Sequence, residues 1–470
     1  MKKDRVVRPR SIGVSSLRKG PFYTVASVEL GNTTTKCVLV TTNLETAEIY
    51  EIEKEVRMTR DVRHPKEEEE VFGRTVFGVE LTRESVSELV SDILRTTLKK
   101  ARLDIERDLH FVVRSTGVTA SFASPSEVGT IVQALADGCL NAGIPPRKMT
   151  ASISAENLPP DIRDYTWLKK VYFDGAVASS LPPSNTEIVA NEMEGELVSA
   201  GLKGAAKSTD IDFRNPVFTL DFGTTLAGRV TDDGFPYATT IGSFAGLAGA
   251  IPDALAKGTG LIDAKTGSVL DIPQSNKSQQ LQIDSKWEEK AHSIIRVEKV
   301  SKSVERFGTV PVDASAAEES GTTLVGVDAG TNGSGLDDLT KLGKSIVYAS
   351  DTNTLLTVID VIQAGIVQRL ISIIESEGLI LKDTSLGLTG RAIITGQKPK
   401  LITENLHLND GSLWTDMHDI LFVEDGLAMG AAVAARCMNS MGTKRCPMGG
   451  RKGDKCIMSE RMKLQKSRGG

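Results

Sequence analysis

The chain reads as an α/β protein made of two successive α/β units, and three observations predict this. Apolar β-type runs alternate with stretches of helical apolar periodicity from Phe22 to about Leu202. A polar stretch at Lys207–Pro216 interrupts the pattern, and Val217–Asp221 starts it again. One short loop then recurs near the head of each unit. Val28-Glu29-Leu30-Gly31-Asn32-Thr33-Thr34-Thr35-Lys36 and Leu220-Asp221-Phe222-Gly223-Thr224-Thr225 each run from an apolar strand through a carboxylate and a glycine into threonines. The expected units are 22–215 and 216–438, with a polar insertion near 272–320 in the second.

In the first unit, residues 22–58 predict a strand, a tight turn, a strand at Cys37–Thr41 and another at Ala47–Val56. The acidic run Glu67–Glu70 is expected to be a solvated loop. Thr82 can cap a helix whose apolar positions Val86, Leu89, Val90, Ile93, Leu94 and Leu98 share one face. Phe111–Val113 is a buried-type strand running into the loop Ser115–Thr119. Helices follow at Glu127–Ala142, stopped by Gly143 and Pro145-Pro146, and at Glu187–Leu202.

In the second unit the Gly/Ala-rich stretch Ile241–Gly260 either packs backbone closely or moves, and 272–300 reads as an insertion or flexible excursion. Val325–Gly335 holds a third strand–Asp–Gly–Thr loop around Asp328, an alternative to the loop at Asp221. The Asp221 loop is preferred, since its strand is more apolar and Thr224-Thr225 are better phosphate donors. Thr354–Ile374 predicts a core helix, because Asp360, Gln363, Gln368 and Arg369 interrupt its apolar faces. Leu386–Pro399 is a strand breaking into a glycine turn, and Asp425–Ala435 is a helix of small residues suited to close helix approach.

Composition narrows the function. The 470 residues are 40% hydrophobic and 25% charged with net charge -5, a globular profile that gives no basis for nucleic-acid or membrane partners. No stretch reaches the roughly 18 consecutive apolar residues of a membrane span. Residues 1–20 and 439–470 are basic and are expected to be disordered arms. Five irregularly spaced cysteines suit a reducing cytoplasm, with Cys437, Cys446 and Cys456 read as free thiols, and the scattered histidines do not support metal chemistry.

The paired loops carry the chemistry. Glycine lets the backbone approach an anion, successive N–H groups form a concave nest for phosphate oxygens, and a carboxylate can hold hydrated magnesium. Two such loops in separate units suggest two jaws closing on one nucleotide.

The ordered set of both loops, the glycine turn and the small-residue helix resembles the superfamily of acetate and sugar kinases, heat-shock chaperone ATPases and actin. That resemblance implies two ribonuclease-H-like (actin-like ATPase) domains clamping ATP and Mg²⁺. The Gly31–Thr35 loop is similar to that of diol and glycerol dehydratase reactivating factors, and the whole chain resembles the archaeal methanogenesis marker protein 14 family.

By resemblance, Glu29 stands where the superfamily has aspartate and, with Asp221, would hold Mg²⁺ through water and serve catalysis, Asp221 orienting the attacking water. Gly31, Asn32, Thr33 and Thr34 would contact the phosphates, as would Gly223, Thr224 and Thr225 from the other jaw. Lys36 would neutralise phosphoryl charge or else lie beyond the turn in the exiting strand, and Gly390 and Arg391 would lie near adenine or ribose. The implied function is a cytoplasmic ATPase acting as reactivase or assembly chaperone of a protein client, an enzyme of methanogenesis, with a homo-oligomer compatible. A small-molecule kinase and an inert scaffold are the alternatives.

Overall fold

The computed structural model describes residues 4–118, 125–149, 176–178, 192–234, 238–262, 265–279 and 285–440. Strands β1 (Val6–Val7) and β2 (Arg10–Ser11) precede a meander of β3 (Phe22–Leu30), β4 (Thr34–Asn43) and β5 (Ile49–Met58). A hairpin of β6 (Val71–Arg74) and β7 (Glu80–Thr82) leads into a helix, Arg83–Ala101. Next come β8 (Phe111–Thr116), the helix Pro125–Asn141, β9 (Ala176–Ala178) and the helix Glu192–Ala206. A second meander, β10 (Val217–Phe222), β11 (Leu226–Thr231) and β12 (Thr240–Gly246), opens the second half. It continues through β13 (Ile295–Lys299), the ribbon β14 (Arg306–Phe307) and β15 (Val310–Pro311), and β16 (Thr323–Ala329). The helix Thr352–Ser376, β17 (Ser385–Thr389), β18 (Ile420–Val423) and the helix Gly426–Ser440 complete it.

Both large sheets share one plan. The six-stranded sheet runs β2-β5-β4-β3-β8-β9 and the eight-stranded sheet β1-β18-β17-β10-β11-β12-β16-β13. Each has an antiparallel meander whose first strand is followed on its other side by two parallel strands: β8 pairs with β3 and β9 with β8, and β17 pairs with β10 and β18 with β17. The meanders close by tight hairpins, whereas the parallel pairs require helical crossovers. Hence β3 and β10 are both switch points, and a ligand crevice is expected beyond their C-terminal ends. Glu29-Leu30 and Asp221-Phe222 are the last residues of those two strands.

The halves are joined by exchanged helices. Glu192–Ala206 packs on the eight-stranded sheet, and Gly426–Ser440 packs on the six-stranded one. The two helices also pack on each other, within a core that takes Val25 and Val38 from one sheet and Val217 and Leu421 from the other. Their contact is glycine on backbone: a Cβ on Gly201 would run into the Gly426 carbonyl, and one on Gly430 into the Leu197 carbonyl. The small-residue helix read from the sequence thus does make a close crossing. The helix Thr352–Ser376 is long and apolar enough to cross a membrane by length and composition, yet Leu355, Ile362, Ile366 and Leu370 lie in the core of the second half. Thr82 caps Arg83–Ala101 as expected, in a reciprocal box with Ser85 at 3.1 Å each way.

Three stretches differ from expectation. Residues 4–20 are not a free arm: β1 extends the eight-stranded sheet beside β18, β2 lies beside β5, and Arg18 forks onto Asp108 at 2.8 and 3.1 Å. Strands of two residues leave no periodicity to read. The 272–300 stretch ends in a helix, Ser285–Ile294, and in edge strand β13. Glu69 of the acidic run is bound by Arg63 at 2.6 and 2.7 Å and by Thr82 at 2.9 Å, so it ties down the turn before the helix. The start of the Glu187–Leu202 helix before Glu192 lies outside the described residues, as do 441–470 with Cys446 and Cys456.

The crossing predicts a sharp contrast among glycines. Gly201→Ala or Gly430→Ala should cost about 1–3 kcal/mol or more in denaturant unfolding, since backbone must move. Gly129→Ala, in a helix with nothing within 4 Å of the new methyl, should be neutral or stabilise by up to about 1 kcal/mol. Equal effects at the two kinds of site would contradict the packing.

Candidate functional site

The two hairpin loops face each other across one cavity of about 670 Å³. All twelve residues singled out from the sequence line it: Glu29, Gly31, Asn32, Thr33, Thr34 and Lys36 from one half, Asp221, Gly223, Thr224, Thr225, Gly390 and Arg391 from the other. The loops touch, with the Thr33 and Thr224 hydroxyls 2.9 Å apart. In the first loop, the Gly31 N–H donates to the Thr34 carbonyl at 3.0 Å, and a side chain on Gly31 would press on that oxygen at 2.7 Å. Asn32 is tied within its own half: its amide donates to the Gly117 carbonyl at 2.9 Å and its oxygen accepts from the Val76 N–H at 2.8 Å. These bonds fix the loop.

The second loop rests on the turn that begins Ala250–Ala256. The Gly249 N–H donates to the Gly223 carbonyl at 2.6 Å, and the Ala248 and Ala250 N–H groups donate to the Thr224 carbonyl at 3.0 and 3.1 Å. Asp253 from this helix accepts from the Ser268 hydroxyl at 2.7 Å, the Val269 N–H at 2.8 Å and the Thr33 hydroxyl at 3.4 Å. Burial raises its carboxyl to about 6 despite those bonds.

Lys36 lies in the exiting strand, directly across the ladder from Glu29. Its Nζ is 2.8 Å from Glu29 Oε2 and 3.7 Å from Asp425 Oδ1. Burial alone would lower its pKa, but Glu29, Asp425 and Asp221 outweigh that and hold the ammonium above its ordinary value. Asp425 is also bound by Lys54 at 2.5 Å; burial would raise its carboxyl, but Lys36 and Lys54 hold it below the usual range.

Asp221 is buried, and burial with the Glu29 charge raises its carboxyl to about 7. Beside it sits Glu194, which sequence reading missed. Its Oε2 is sealed from solvent and has no hydrogen-bond partner among the described residues. Burial, then Asp221 and Glu29, push its pKa well above the ordinary carboxylate range. Nothing in the sequence distinguished it, because Glu192 and Glu196 stand beside it in the same helix. Asp253 carried no signal beyond a carboxylate in a Gly/Ala-rich stretch.

Two positions are now fixed. Gly390 lies at the acidic end: it has φ +92, and a Cβ there would collide with Asp221 and the Phe222 carbonyl. The Asp328 loop does not line the cavity, because the Asp328 carboxylate accepts from the N–H groups of Ala329 and Asn332 at 2.7 Å and Gly333 at 2.9 Å in its own turn. The far end of the cavity is instead built from Leu356, Ile359, the Gly396 turn and the buried Asp360–Lys398 ion pair. Among the described residues no cluster of three or more His, Cys, Asp or Glu side chains is arranged as direct metal ligands.

A family model described as an uncharacterized protein conserved in archaea (DUF2114) matches residues 22–465, and the chain belongs to that family. An uncharacterized protein of Methanocaldococcus jannaschii is 51% identical over 463 residues, 98% of this chain and 95% of that one. One from Methanothermobacter thermautotrophicus is 54% identical over 453 residues, 96% of this chain and 84% of that one. Among solved structures the chain has distant likenesses. A reductive activator for corrinoid, iron-sulfur protein gives a TM-score of 0.35 at 11% identity, covering 95% of this chain and 62% of that one. The ethanolamine utilization protein EutJ from Carboxydothermus hydrogenoformans gives 0.32 at 14%, covering 91% and 92%. For the Aquifex aeolicus PPX-GPPA enzyme the values are 0.25 and 12%, and the chain spans only 52% of it.

The raised Asp221 carboxyl has a sign that can be measured. Folded, it keeps its proton up to about pH 7; unfolded, it ionises near the ordinary aspartate value of about 4. The folded state therefore binds more protons across that window and loses stability as pH rises through it. Asp221→Asn should raise the thermal midpoint of the ligand-free chain by an amount that grows from pH 4 to 7 and then levels off. A gain independent of pH would show that Asp221 is ionised throughout.

Proposed function

We propose that this DUF2114-family chain is an ATPase whose two hairpin loops grip one nucleotide triphosphate and whose closure works on a client protein as a reactivase or assembly chaperone. One observation carries the reading: hairpins from two sheets that share a five-strand order, β5-β4-β3-β8-β9 and β12-β11-β10-β17-β18, meet at a single cavity beyond the switch points β3 and β10. The shared plan supports reading the halves as the ribonuclease-H-like domains of an actin-like ATPase. The relatives in Methanocaldococcus and Methanothermobacter support an enzyme of methane formation as the client.

A hydrated divalent cation fits the acidic end. Glu194 Oε2 is buried without a partner among the described residues, and burial first, then the neighbouring carboxylates, makes Asp221 beside it hold its proton unusually tightly; a cation there would offset both. Asp221 and Glu194 would hold magnesium through water, and bound magnesium supplies charge neutralisation for the β- and γ-phosphate oxygens. Glu29 we assign to a different task, aiming Lys36, because the two are ion-paired across the ladder.

The remaining chemistry is positioning. Backbone N–H groups around Gly31 and Gly223 receive phosphate oxygens, and the Thr33 and Thr224 hydroxyls part to admit the terminal phosphate between them. Lys36 places a fixed positive charge against the transferring group. Asp221 orients the attacking water and, with a proton affinity near neutrality in the free cleft, is suited to take its proton. The loops then stabilise a phosphoryl transfer whose rate depends on alignment and electrostatics rather than covalent catalysis.

Purified full-length chain should bind ATP with magnesium and turn it over slowly without an added acceptor. Asp221→Ala should lower kcat by about 10²–10³-fold while ATP binding persists. Glu194→Gln should raise the magnesium concentration needed for half-maximal nucleotide binding several-fold. Titration calorimetry showing no binding of ATP or ADP with magnesium would sink the reading.

A further inference from the structure

The cavity has a second end that phosphate chemistry does not use. Leu356 and Ile359 from the long helix, Ala392 and the backbone turn at Gly396 form one side. Residues 265–279 also line it, contributing Leu270 and Ile272. Leu270 is 41% exposed, an apolar side chain left bare at the cavity wall. Lys398 at this end is neutralised by Asp360. Ser278 also lines the cavity, and its hydroxyl is sealed from solvent with no hydrogen-bond partner among the described residues. A chain of further phosphates would meet apolar surface and a spent cation here. A flat, weakly polar ring with one or two hydrogen-bonding atoms fits it.

The segment is pinned to the second half at both ends. Near its start, Ser268 and Val269 donate to Asp253, and near its close the Lys277 N–H donates to Asn353 at 3.0 Å and the Gln279 N–H to Thr357 at 2.9 Å. Between these pins, Asp271 reaches across the cleft to Arg60 of the first half in a two-pronged ion pair of 2.5 and 2.6 Å. Arg60 also donates to the Thr266 carbonyl at 3.2 Å. Its neighbour Thr59 grips the first phosphate loop, the hydroxyl donating to the Gly31 carbonyl at 2.7 Å and the N–H to the Thr33 carbonyl at 2.9 Å. Two consecutive residues, Thr59 and Arg60, therefore hold the phosphate loop and the segment. A second tie lies nearby, with the Lys257 ammonium 4.2 Å above the Phe77 ring.

We infer that residues 265–279 are a strap recognising the nucleoside part of the bound nucleotide, and that the Arg60–Asp271 pair is the latch holding strap and cleft closed over it. The inference rests on the nucleotide reading above and adds two things. The element that reads the nucleoside, and so rejects an inorganic polyphosphate, is the segment 265–279, and residence time is set at the latch, outside the chemical centre. A bidentate guanidinium–carboxylate pair suits this: it is directional when closed, and its partly exposed groups can exchange each other for water when it opens.

The test uses the full chain, ATP, inorganic tripolyphosphate, and a fluorescent ATP analogue for release kinetics. Wild type should bind ATP at least roughly tenfold more tightly than tripolyphosphate. Arg60→Ala and Asp271→Asn should each speed nucleotide release roughly three- to tenfold, and the double variant no more than either single one. Ser278→Ala and Leu270→Ser should weaken ATP and leave tripolyphosphate unchanged, with circular dichroism and thermal midpoints showing that each variant folds. Release rates unchanged in both latch variants overturn the latch. Equal wild-type affinity for ATP and tripolyphosphate overturns nucleoside recognition while the phosphate cleft stands. A wild type that binds neither removes the reading on which the strap depends.

Discussion

The contact between the helices Glu192–Ala206 and Gly426–Ser440 governs where everything else can lie. Gly201 and Gly430 each sit against backbone of the opposite helix, at a separation that no side chain would permit. Each helix is covalently part of one half and packed on the sheet of the other, so the sheets cannot slide apart without breaking a shared core. Interiors packed at crystal density resist small displacements. The same crossing places Glu194, which lines the cavity, on the first helix and Asp425, which backs Lys36, just before the second. The helix crossing and the acidic end of the site are one piece of structure.

That placement sets up the electrostatics. Lys36 and Lys54 stand among Glu29, Asp221, Asp425 and Glu424, with Glu194 added behind Asp221. The cations in reach, with Arg8 on Glu424 and Arg391 near Asp425 included, are outnumbered by these five carboxylates in a partly buried space. Asp425, held between both lysines, stays ionised, whereas Asp221 and Glu194 take up the imbalance as protons. Such an arrangement favours any ligand that brings positive charge with its phosphates, and it discourages phosphate arriving alone. The network also runs outward: Glu424 is met by Arg8 at 2.7 Å, which ties the first strands of the chain to the same cluster.

Much of this was legible because it is local. A glycine and threonines after an apolar strand specify a hairpin loop within a few residues, and both loops stand where that grammar puts them. Thr82 as a cap and the small residues of Gly426–Ser440 are equally short-range signals. Glu194, Asp253 and the Arg60–Asp271 pair were invisible for the opposite reason, since each matters through a neighbour from the other half of the chain. The adenosine-type turn shows the intermediate case. Its strand was found, but parallel pairing of Asp221 with Thr389 draws Gly390 to the carboxylate end, a register that sequence spacing does not reveal. That Asp328 lies off the cavity is something no motif encodes; its own turn takes up the carboxylate.

Glu29 joins these strands of argument. In isolation its extra methylene, relative to the aspartate of the resembling superfamily, would suggest a damaged metal site. In the ladder that length brings the carboxylate to Lys36 Nζ, and the lysine in turn leans on Asp425 at the hinge helix. The substitution therefore links the phosphate loop to the crossing rather than merely displacing a ligand. On the opposite lip the links are polar and partly exposed: the Thr33–Thr224 hydroxyl contact, Arg60–Asp271 and Lys257–Phe77. Polar contacts of that kind exchange for water at small net cost, while the glycine-packed crossing has nothing to exchange for. Opening should therefore pivot about the helix crossing and part the lip first, carrying residues 265–279 away from the first half as the threonines separate.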